Sequence, residues 1–388
     1  MASLLRGPVG PLPRVAGGQL IARLEAANLL GRGGAGFPAG RKWRAVAERA
    51  GGRGVVLANG AEGEPLSQKD RTLMETRPQL VVDGAQLAAE AVGASDIIFY
   101  VGSAHRAAEA AIRRALAERS NRSSVHARVV SAPDGYVSGE ESAAVHFVNA
   151  GDARPTTTPP RPFERGVDGR PTLVQNVESL AVAALIARGI ESHTGLVTVT
   201  GSVRNPGVQE IDLDSTLGEV AAAAGGVLRP VQAALLGGYF GGWAAIDEVW
   251  RLPMEPSSLR ARGLTLGCGV VYLLADASCG VDATARILTY LASQSARQCG
   301  PCVFGLSAIA ECLGRLAART PQPGDQDRLM RWSGQLAGRG ACKHPDGAAG
   351  LLASALSVFA DEFAAHQGRR CLRRVAVRPL SEPTLAVA

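Results

Sequence analysis

Three loops and one group of cysteines hold the residues whose types and spacing suit chemistry. The first loop, GRGGAGFPAGRKW from Gly31 to Trp43, sets Arg32 and Lys42 among glycines. Without a Cβ, glycine lets backbone N–H groups come close to an anion, and the two cations add charge. The loop contains a formal G-x-G-x-x-G, but a dinucleotide-binding turn follows a strand and opens a helix. Here a helix-like segment precedes the loop and the strand comes after it, and no Gly-Lys-Ser/Thr supplies a P-loop. A phosphate-holding loop and a flexible turn are the two readings left.

The second loop, NGAEGEPLSQKDR, runs from Asn59 to Arg71 and follows a strand. Asn59, Glu62 and Glu64 offer amide and carboxylate partners for ribityl or ribose hydroxyls; a solvated acidic loop is the plain alternative. The third, GYVSGEESA, pairs Glu140 with Glu141 after Gly139 and places Tyr136 where it can stack. Acidic residues also suit the first turn of a helix, which is the simpler account of that pair. The cysteine group is Cys299-x-x-Cys302 with Cys342 some forty residues on. A C-x-x-C is a metal half-site or a redox dithiol, and the helical surroundings argue against a thioredoxin-type dithiol. His344 keeps zinc in view. Cys268, in an apolar strand, and Cys312, on an apolar stripe with Ile309 and Leu316, read as core.

Positioning these loops requires an alternation of strands and helices. Gln19 to Leu30 has helical periodicity, Val55 to Ala58 reads as a buried strand, and Pro78 to Val92 as a helix. Ile97 to Gly102 is a strand, His105 to Arg119 a helix, and His126 to Val130 a further strand. VQNVESLAVAALIARG closes the region as an amphipathic helix. This pattern predicts an α/β layer domain over residues 1–193. Residues 194–277 carry short β-rich runs, a Pro-Gly turn and one helix starting at Ser215 or Thr216, as in a small β-grasp module. Residues 278–388 have helical periodicity throughout and predict an antiparallel helix bundle.

At 388 residues the chain exceeds one compact core. Its 46% hydrophobic and 20% charged content are those of an ordinary globular protein. The longest apolar runs, such as Val270 to Ala275, fall short of the roughly 20 residues of a membrane span. The N-terminal segment is broken by Pro8, Pro11 and Pro13 before a signal sequence forms, so a cytoplasmic protein is expected. The net charge of +6 favours acidic partners, although a GC-rich genome produces the same arginine preference. Aromatic content of 4% with no interleaved basic block excludes a nucleic-acid platform.

Taken in order, GRGGAGFPxGxKW, N-x-x-E-x-E-P-x-x-x-K-D-R, Y-x-x-GEE-[ST]-A and P-T-x-x-x-N-V-E-[ST]-L-A resemble the NADH-binding FMN/iron–sulfur flavoprotein subunit of respiratory complex I. Related chains occur in NAD-reducing hydrogenases and formate dehydrogenases. The likeness runs from about Leu29 to about Gly347. It implies an FMN site at Gly31, Arg32, Gly33, Lys42, Asn59, Glu62, Gly139, Glu140, Glu141 and Asn176. It implies nucleotide contacts at Phe37, Glu64 and Tyr136, with Glu64 and Glu141 as catalytic carboxylates, and a cluster at Cys299, Cys302 and Cys342. It further implies a soluble-ligand-binding β-grasp module, hydride transfer from NAD(P)H to FMN, then single electrons to an iron–sulfur cluster and a partner carrier. That partner is a ferredoxin-like protein or a 2Fe–2S subunit, and the chain is expected in a hetero-complex.

Departures from the family pattern are specific. Ala296 stands where the first cluster cysteine is expected, so three thiolates remain for a cubane that usually takes four. A 3Fe–4S cluster, a 4Fe–4S cluster with one other ligand, and a site without a cluster are all compatible with that set. Ala45 replaces an aromatic residue, Ala61 an Asp, and Thr158-Pro159-Pro160-Arg161 the family's Lys-Pro-Pro-Phe. Each lost ring or cation weakens NADH binding by about 1–2 kcal/mol. Phe163 is placed to replace the missing ring, and Arg161 suits the extra phosphate of NADPH or an acidic carrier. Two other functions follow from these losses: electron exchange with a ferredoxin-like protein in place of NADH, and a non-enzymatic scaffold.

Overall fold

The computed structural model describes residues 3–119 and 125–373. The chain forms two compact units. The first takes the chain up to Gly63 and again from Gln68 to Leu196, and the second takes Glu64–Ser67 and the chain from Val197 on.

In the first unit, helices α1 (Gly17–Ala26) and α2 (Ala39–Ala50) precede strand β1 (Gly54–Gly60). Helices α3 (Lys69–Thr76) and α4 (Pro78–Val92), strand β2 (Ala94–Gly102), helix α5 (Arg106–Arg119) and strand β3 (His126–Ala132) follow. Helix α6 (Glu141–Ala150), strand β4 (Thr172–Asn176) and helix α7 (Val177–Ala187) complete it. The strands form one sheet in the order β3-β2-β1-β4, with all pairings parallel. The central strand β1 is apolar almost throughout because helices cover both its faces; Val55, Val56, Leu57 and Ala58 are fully buried.

The expected single amphipathic helix over VQNVESLAVAALIARG is instead a strand followed by a helix. β4 takes Thr172–Asn176, and α7 is buried at every position except Ile186, so it has no polar face to display. It packs on α4 so tightly that a Cβ at Gly84 would lie 2.0 Å from the Leu180 carbonyl oxygen. The glycine loop also opens a helix, α2, which the periodicity of the sequence does not announce. Trp43 anchors it, fully buried, with its indole N–H donating to Gln175 Oε1 at 3.3 Å.

The second unit begins within strand β5 (Thr194–Gly201) and continues through β6 (Gly207–Asp212), α8 (Leu217–Ala223), β7 (Val231–Leu236) and β8 (Gly242–Ala245). Short helices α9 (Ile246–Val249) and α10 (Pro256–Arg260) lead to β9 (Val270–Ala275). The strands form a mixed sheet in the order β6-β5-β9-β7-β8. Leu217, Val220 and Ala221 of α8 share a core with Val197, Val199 and Val271 of the sheet, as in a β-grasp. Thr216 caps α8 through a full capping box with Glu219, at the position expected from sequence.

Five helices follow: α11 (Gly280–Ser293), α12 (Ser307–Ala317), α13 (Asp325–Gln335), α14 (His344–Val358) and α15 (Ala360–Gln367). A π-helical turn over Pro301–Leu306, which takes in Cys302 of the C-x-x-C, leads directly into α12. Among the described residues no single helix is long and apolar enough to cross a membrane, and the one bent pair that passes by composition, α14 with α15, is interior, with Leu351, Leu352 and Phe363 fully buried.

Candidate functional site

Parallel sheets gather ligands at the carboxyl ends of their strands, where successive strands depart to opposite sides. That point here lies between β1 and β4, since β2 and β3 extend to the other side of β1. Asn59 lies near the end of β1, Asn176 ends β4, and the two are register partners. Asn59 Nδ2 donates to the Gly139 carbonyl at 2.8 Å, tying the third loop to the strand. Asn176 Oδ1 caps α7 by accepting from Glu178 and Ser179 N–H, and its Nδ2 donates to Asp70 at 2.7 Å.

The glycine loop sits beside this pair. It closes on itself through Gly31 N–H to the Phe37 carbonyl at 2.9 Å, and Arg32 N–H donates to Ser179 Oγ at 2.9 Å. A Cβ at Gly33 would come within 3.3 Å of Asn176 Cβ, so glycine is what keeps the loop against the strand end. Gly34 and Gly36 have positive φ, a backbone conformation open to glycine. The second and third loops also meet backbone to backbone. A Cβ at Gly63 would lie 2.9 Å from the Tyr136 carbonyl oxygen, and one at Gly139 would lie 2.7 Å from that of Ala61.

The carboxylates separate into distinct duties. Glu140 caps α6, accepting from Ser142 and Ala143 N–H, which is the helix-starting role open to it from sequence. Glu141 Oε2 accepts from Lys42 Nζ at 2.8 Å, and Arg161 Nη1 lies 3.8 Å from its Oε1. Glu62 accepts from Asp70 and Arg71 N–H at the start of α3, at 3.0 and 3.3 Å. Glu64 is buried in the second unit, where Oε2 accepts from Tyr239 N–H at 2.8 Å and Oε1 from Leu66 N–H at 3.2 Å. Phe37 is 54% exposed. The Phe163 ring carries the Arg49 guanidinium 5.2 Å from its centre, so it is already engaged.

Three residues that sequence reasoning leaves unassigned, Lys69, Asp70 and Glu178, complete the electrostatics. Lys69 is fully buried, with Nζ 2.7 Å from Asp70 Oδ1 and 2.8 Å from Glu178 Oε2. Burial works against its charge, but Asp70, Glu178 and Glu62 outweigh that and push its pKa up. Burial raises Asp70 to about 7 against the pull of Lys69, with Glu62 and Glu178 adding to the rise. A proton held on Asp70 removes one negative charge from this group. Both Lys69 and Glu178 lie inside the motifs K-D-R and N-V-E, which was the available signal.

Arg32 supplies the test of fit for an anionic ligand. Its Nη2 donates to the Thr194 carbonyl at 3.2 Å, while its Nε is buried with no hydrogen-bond partner and stands 3.9 Å from Glu178 Oε1. A buried guanidinium N–H next to a glycine-rich loop fits a phosphate, and the amides of Asn59 and Asn176 fit a polyol and ring alongside.

The cysteines divide into groups. Buried Cys302 is raised to about 11, first by burial; it is hydrogen-bonded with Ser295 and Cys299 and feels the charge of Cys342. Cys302 lies in the π-helical turn and Cys299 just before it, while Cys342 comes just before α14. Three thiolates are the complement for three irons of a cluster. His344 is not drawn to them: its Nε2 donates to the Leu291 carbonyl at 2.8 Å, and its ring meets Phe240 edge-on. Cys312 is core as expected, fully buried. Cys268 lies in the loop before β9 instead of in a strand, with Sγ 3.2 Å from the Gly237 carbonyl oxygen.

Comparison with known proteins agrees with this arrangement. A family model described as the Nuo51 FMN-binding domain matches residues 24–184. A model of the NADH-ubiquinone oxidoreductase-F iron-sulfur binding region matches 282–366, and an SLBB domain model matches 196–238. The NADH-quinone oxidoreductase F subunit 2 of Rhizobium meliloti is 32% identical, over 91% of this chain and 90% of that protein. The corresponding F subunit of Escherichia coli is 30% identical, over 89% of this chain and 84% of its own. The fold is similar to the crystal structure of an air-oxidized NAD+-reducing NiFe hydrogenase, with TM-score 0.83 and 27% identity, over 94% of this chain and 67% of that one. The chain belongs to the family of NADH-quinone oxidoreductase F subunits, oxidoreductase flavoproteins that pass electrons from NADH through FMN to an iron–sulfur cluster.

Proposed function

We propose that this chain holds FMN at the β1/β4 strand ends and a cluster at Cys299, Cys302 and Cys342, and works as the NADH-oxidising subunit of a cytoplasmic hetero-complex. The observation that carries the flavin site is Arg32 Nε, buried and without a hydrogen-bond partner beside the glycine loop at the point where the strand order reverses. FMN when bound supplies the junction between two-electron and one-electron chemistry.

The chain's own residues do the rest. Arg32 and the N–H groups around Gly33 and Gly34 hold the phosphate end. Asn59 and Asn176 orient the ring and polyol, and their own caps and loop ties fix their rotamers. Lys42 is paired with Glu141, and that pair holds the positive edge of the site in place. Glu64 is read as the second carboxylate of the reaction and Phe37 and Tyr136 as nucleotide contacts. Division into a flavin domain over 1–193, a soluble-ligand-binding-type module over 194–277 and a cluster-bearing bundle over 278–388 goes with this reading.

The test is anaerobic purification with FMN, iron and sulfide, followed by absorbance and EPR spectra. A flavin band with iron in a ratio near one FMN to one cluster supports the reading, and protein that folds but stays colourless refutes it.

Exposed Arg161 and small Ala45 favour a second reading of the electron donor. The cation and ring of the family pattern are gone, and an exposed guanidinium 3.8 Å from Glu141 suits an acidic carrier such as a ferredoxin-like protein or 2Fe–2S subunit. Reduction of the bound flavin by reduced ferredoxin but not by NADH distinguishes this reading from the first.

A further inference from the structure

The C-terminal helices assemble a second group of metal-ligating side chains that the flavin and cluster do not use. Cys279 caps the N-terminus of α11, His366 lies in the last turn of α15, and Cys371 follows shortly after. Two thiol sulfurs and an imidazole nitrogen all lie within 4.8 Å of one another. Cys279 Sγ is 3.3 Å from His366 Nε2. Cys279 and His366 are buried and Cys371 is partly so.

The histidine's orientation points the same way. His366 Nδ1 lies 2.8 Å from the Leu316 carbonyl oxygen, which can only accept, so Nδ1 carries the proton. Nε2 then presents its lone pair toward Cys279. A metal-bound histidine takes this tautomer, with its other nitrogen donating to a backbone carbonyl. Zinc with bonds of about 2.3 Å to sulfur and about 2.0 Å to nitrogen sets its ligands roughly 3.5–3.8 Å apart, so the three atoms reach one ion with small movements.

Charge and surroundings are compatible with an ion there. Two thiolates neutralise a divalent cation. The neighbouring Glu362 is already balanced, accepting from Arg373 Nε at 2.9 Å and Gly280 N–H at 2.7 Å. Asp282 N–H points at Cys279 Sγ from 3.5 Å, the contact that a helix N-terminus offers a thiolate. A thiol hydrogen-bonded to an imidazole would explain Cys279 and His366 alone; it leaves unexplained why a second thiol arrives from the segment after α15. Both cysteines lie outside the stretch matched by the iron–sulfur family model.

We propose that Cys279, His366 and Cys371 bind one zinc-class divalent ion, with water in the fourth position, tying the segment after α15 to the start of α11. Binding releases the two thiol protons and forms two metal–sulfur bonds and one metal–nitrogen bond, with no change of oxidation state.

The test uses the full chain carrying Cys299→Ser, Cys302→Ser and Cys342→Ser, which removes the thiols of the proposed cluster, titrated anaerobically with cobalt(II) alone. One equivalent should bind with thiolate-to-cobalt charge-transfer bands and the strong visible bands of tetrahedral cobalt. Cys371→Ser, at a partly exposed position, should abolish them while the far-ultraviolet dichroism is unchanged; Cys371→Ala serves if the serine variant fails to fold. Mass spectrometry of the native protein should give about one zinc per chain with these residues intact. Bands that survive loss of Cys371, absence of bands with both thiols free, or a Cys279–Cys371 disulfide in anaerobically prepared protein would each overturn the proposal.

Discussion

Asn59 and Asn176 are register partners at the carboxyl ends of adjacent parallel strands, one tied to the GEE loop and the other capping α7. One amide therefore fixes a helix start at the proposed flavin site. Asn176→Ala removes the cap and the bond to Asp70, at about 1 kcal/mol of stability. It should weaken FMN binding by about tenfold or more, equal to about 1.4 kcal/mol, in a fluorescence titration. Unchanged flavin affinity would detach this residue from the site.

A Cβ at Gly33 would come within 3.3 Å of Asn176 Cβ. Gly33→Val fills the cradle without demanding a positive φ, so the expected result is a folded protein with little bound flavin. Gly84→Ala acts elsewhere: its Cβ collides with the Leu180 carbonyl, and the first unit should lose several kcal/mol as α4 and α7 are pushed apart. Thermal melts with and without FMN separate the two effects.

The buried Lys69–Asp70–Glu178 group gives a pH signature. Asp70 titrates at about 7 in the folded chain and near 3.9 unfolded. The folded state therefore holds that proton more tightly; the stabilisation is full below about pH 3.9 and is lost as pH rises through about 7. Melting temperature should fall across that interval, and Asp70→Asn should flatten the slope. Lys69→Met leaves Glu178 buried without its cation and should cost about 3–5 kcal/mol.

Ala296 occupies the place of a cluster ligand beside Ser295, which contacts Cys302. Ala296→Cys should raise iron from about three to about four per chain and give an EPR signal of the reduced 4Fe–4S type. Iron content that does not change would mean that the fourth position is already filled by a non-cysteine ligand.

Much of this architecture was legible in the chain because near-continuous apolar runs such as Val55 to Ala58 mark parallel strands, and Thr216 with Glu219 spells a capping box. The β4–α7 break was not, since α7 is apolar on all sides and a run without a polar face has no period to read. Helix α2 escaped notice because its entry is masked by the glycines that serve the site. Among site residues, Glu140 and Glu141 looked equivalent in sequence; only the backbone path makes one a cap and the other a partner of Lys42. Cys279 lies 87 residues before His366, so no local spacing signals that it meets His366 and Cys371.

Rapid mixing of the anaerobic, FMN-loaded protein with NADH, followed at the flavin absorbance maximum, tests the central claim most directly. NADH should bleach the flavin, and EPR of the mixed sample should then show a reduced cluster signal that is lost in Cys302→Ser. Flavin that stays oxidised under excess NADH, in protein that retains FMN and cluster, would contradict it.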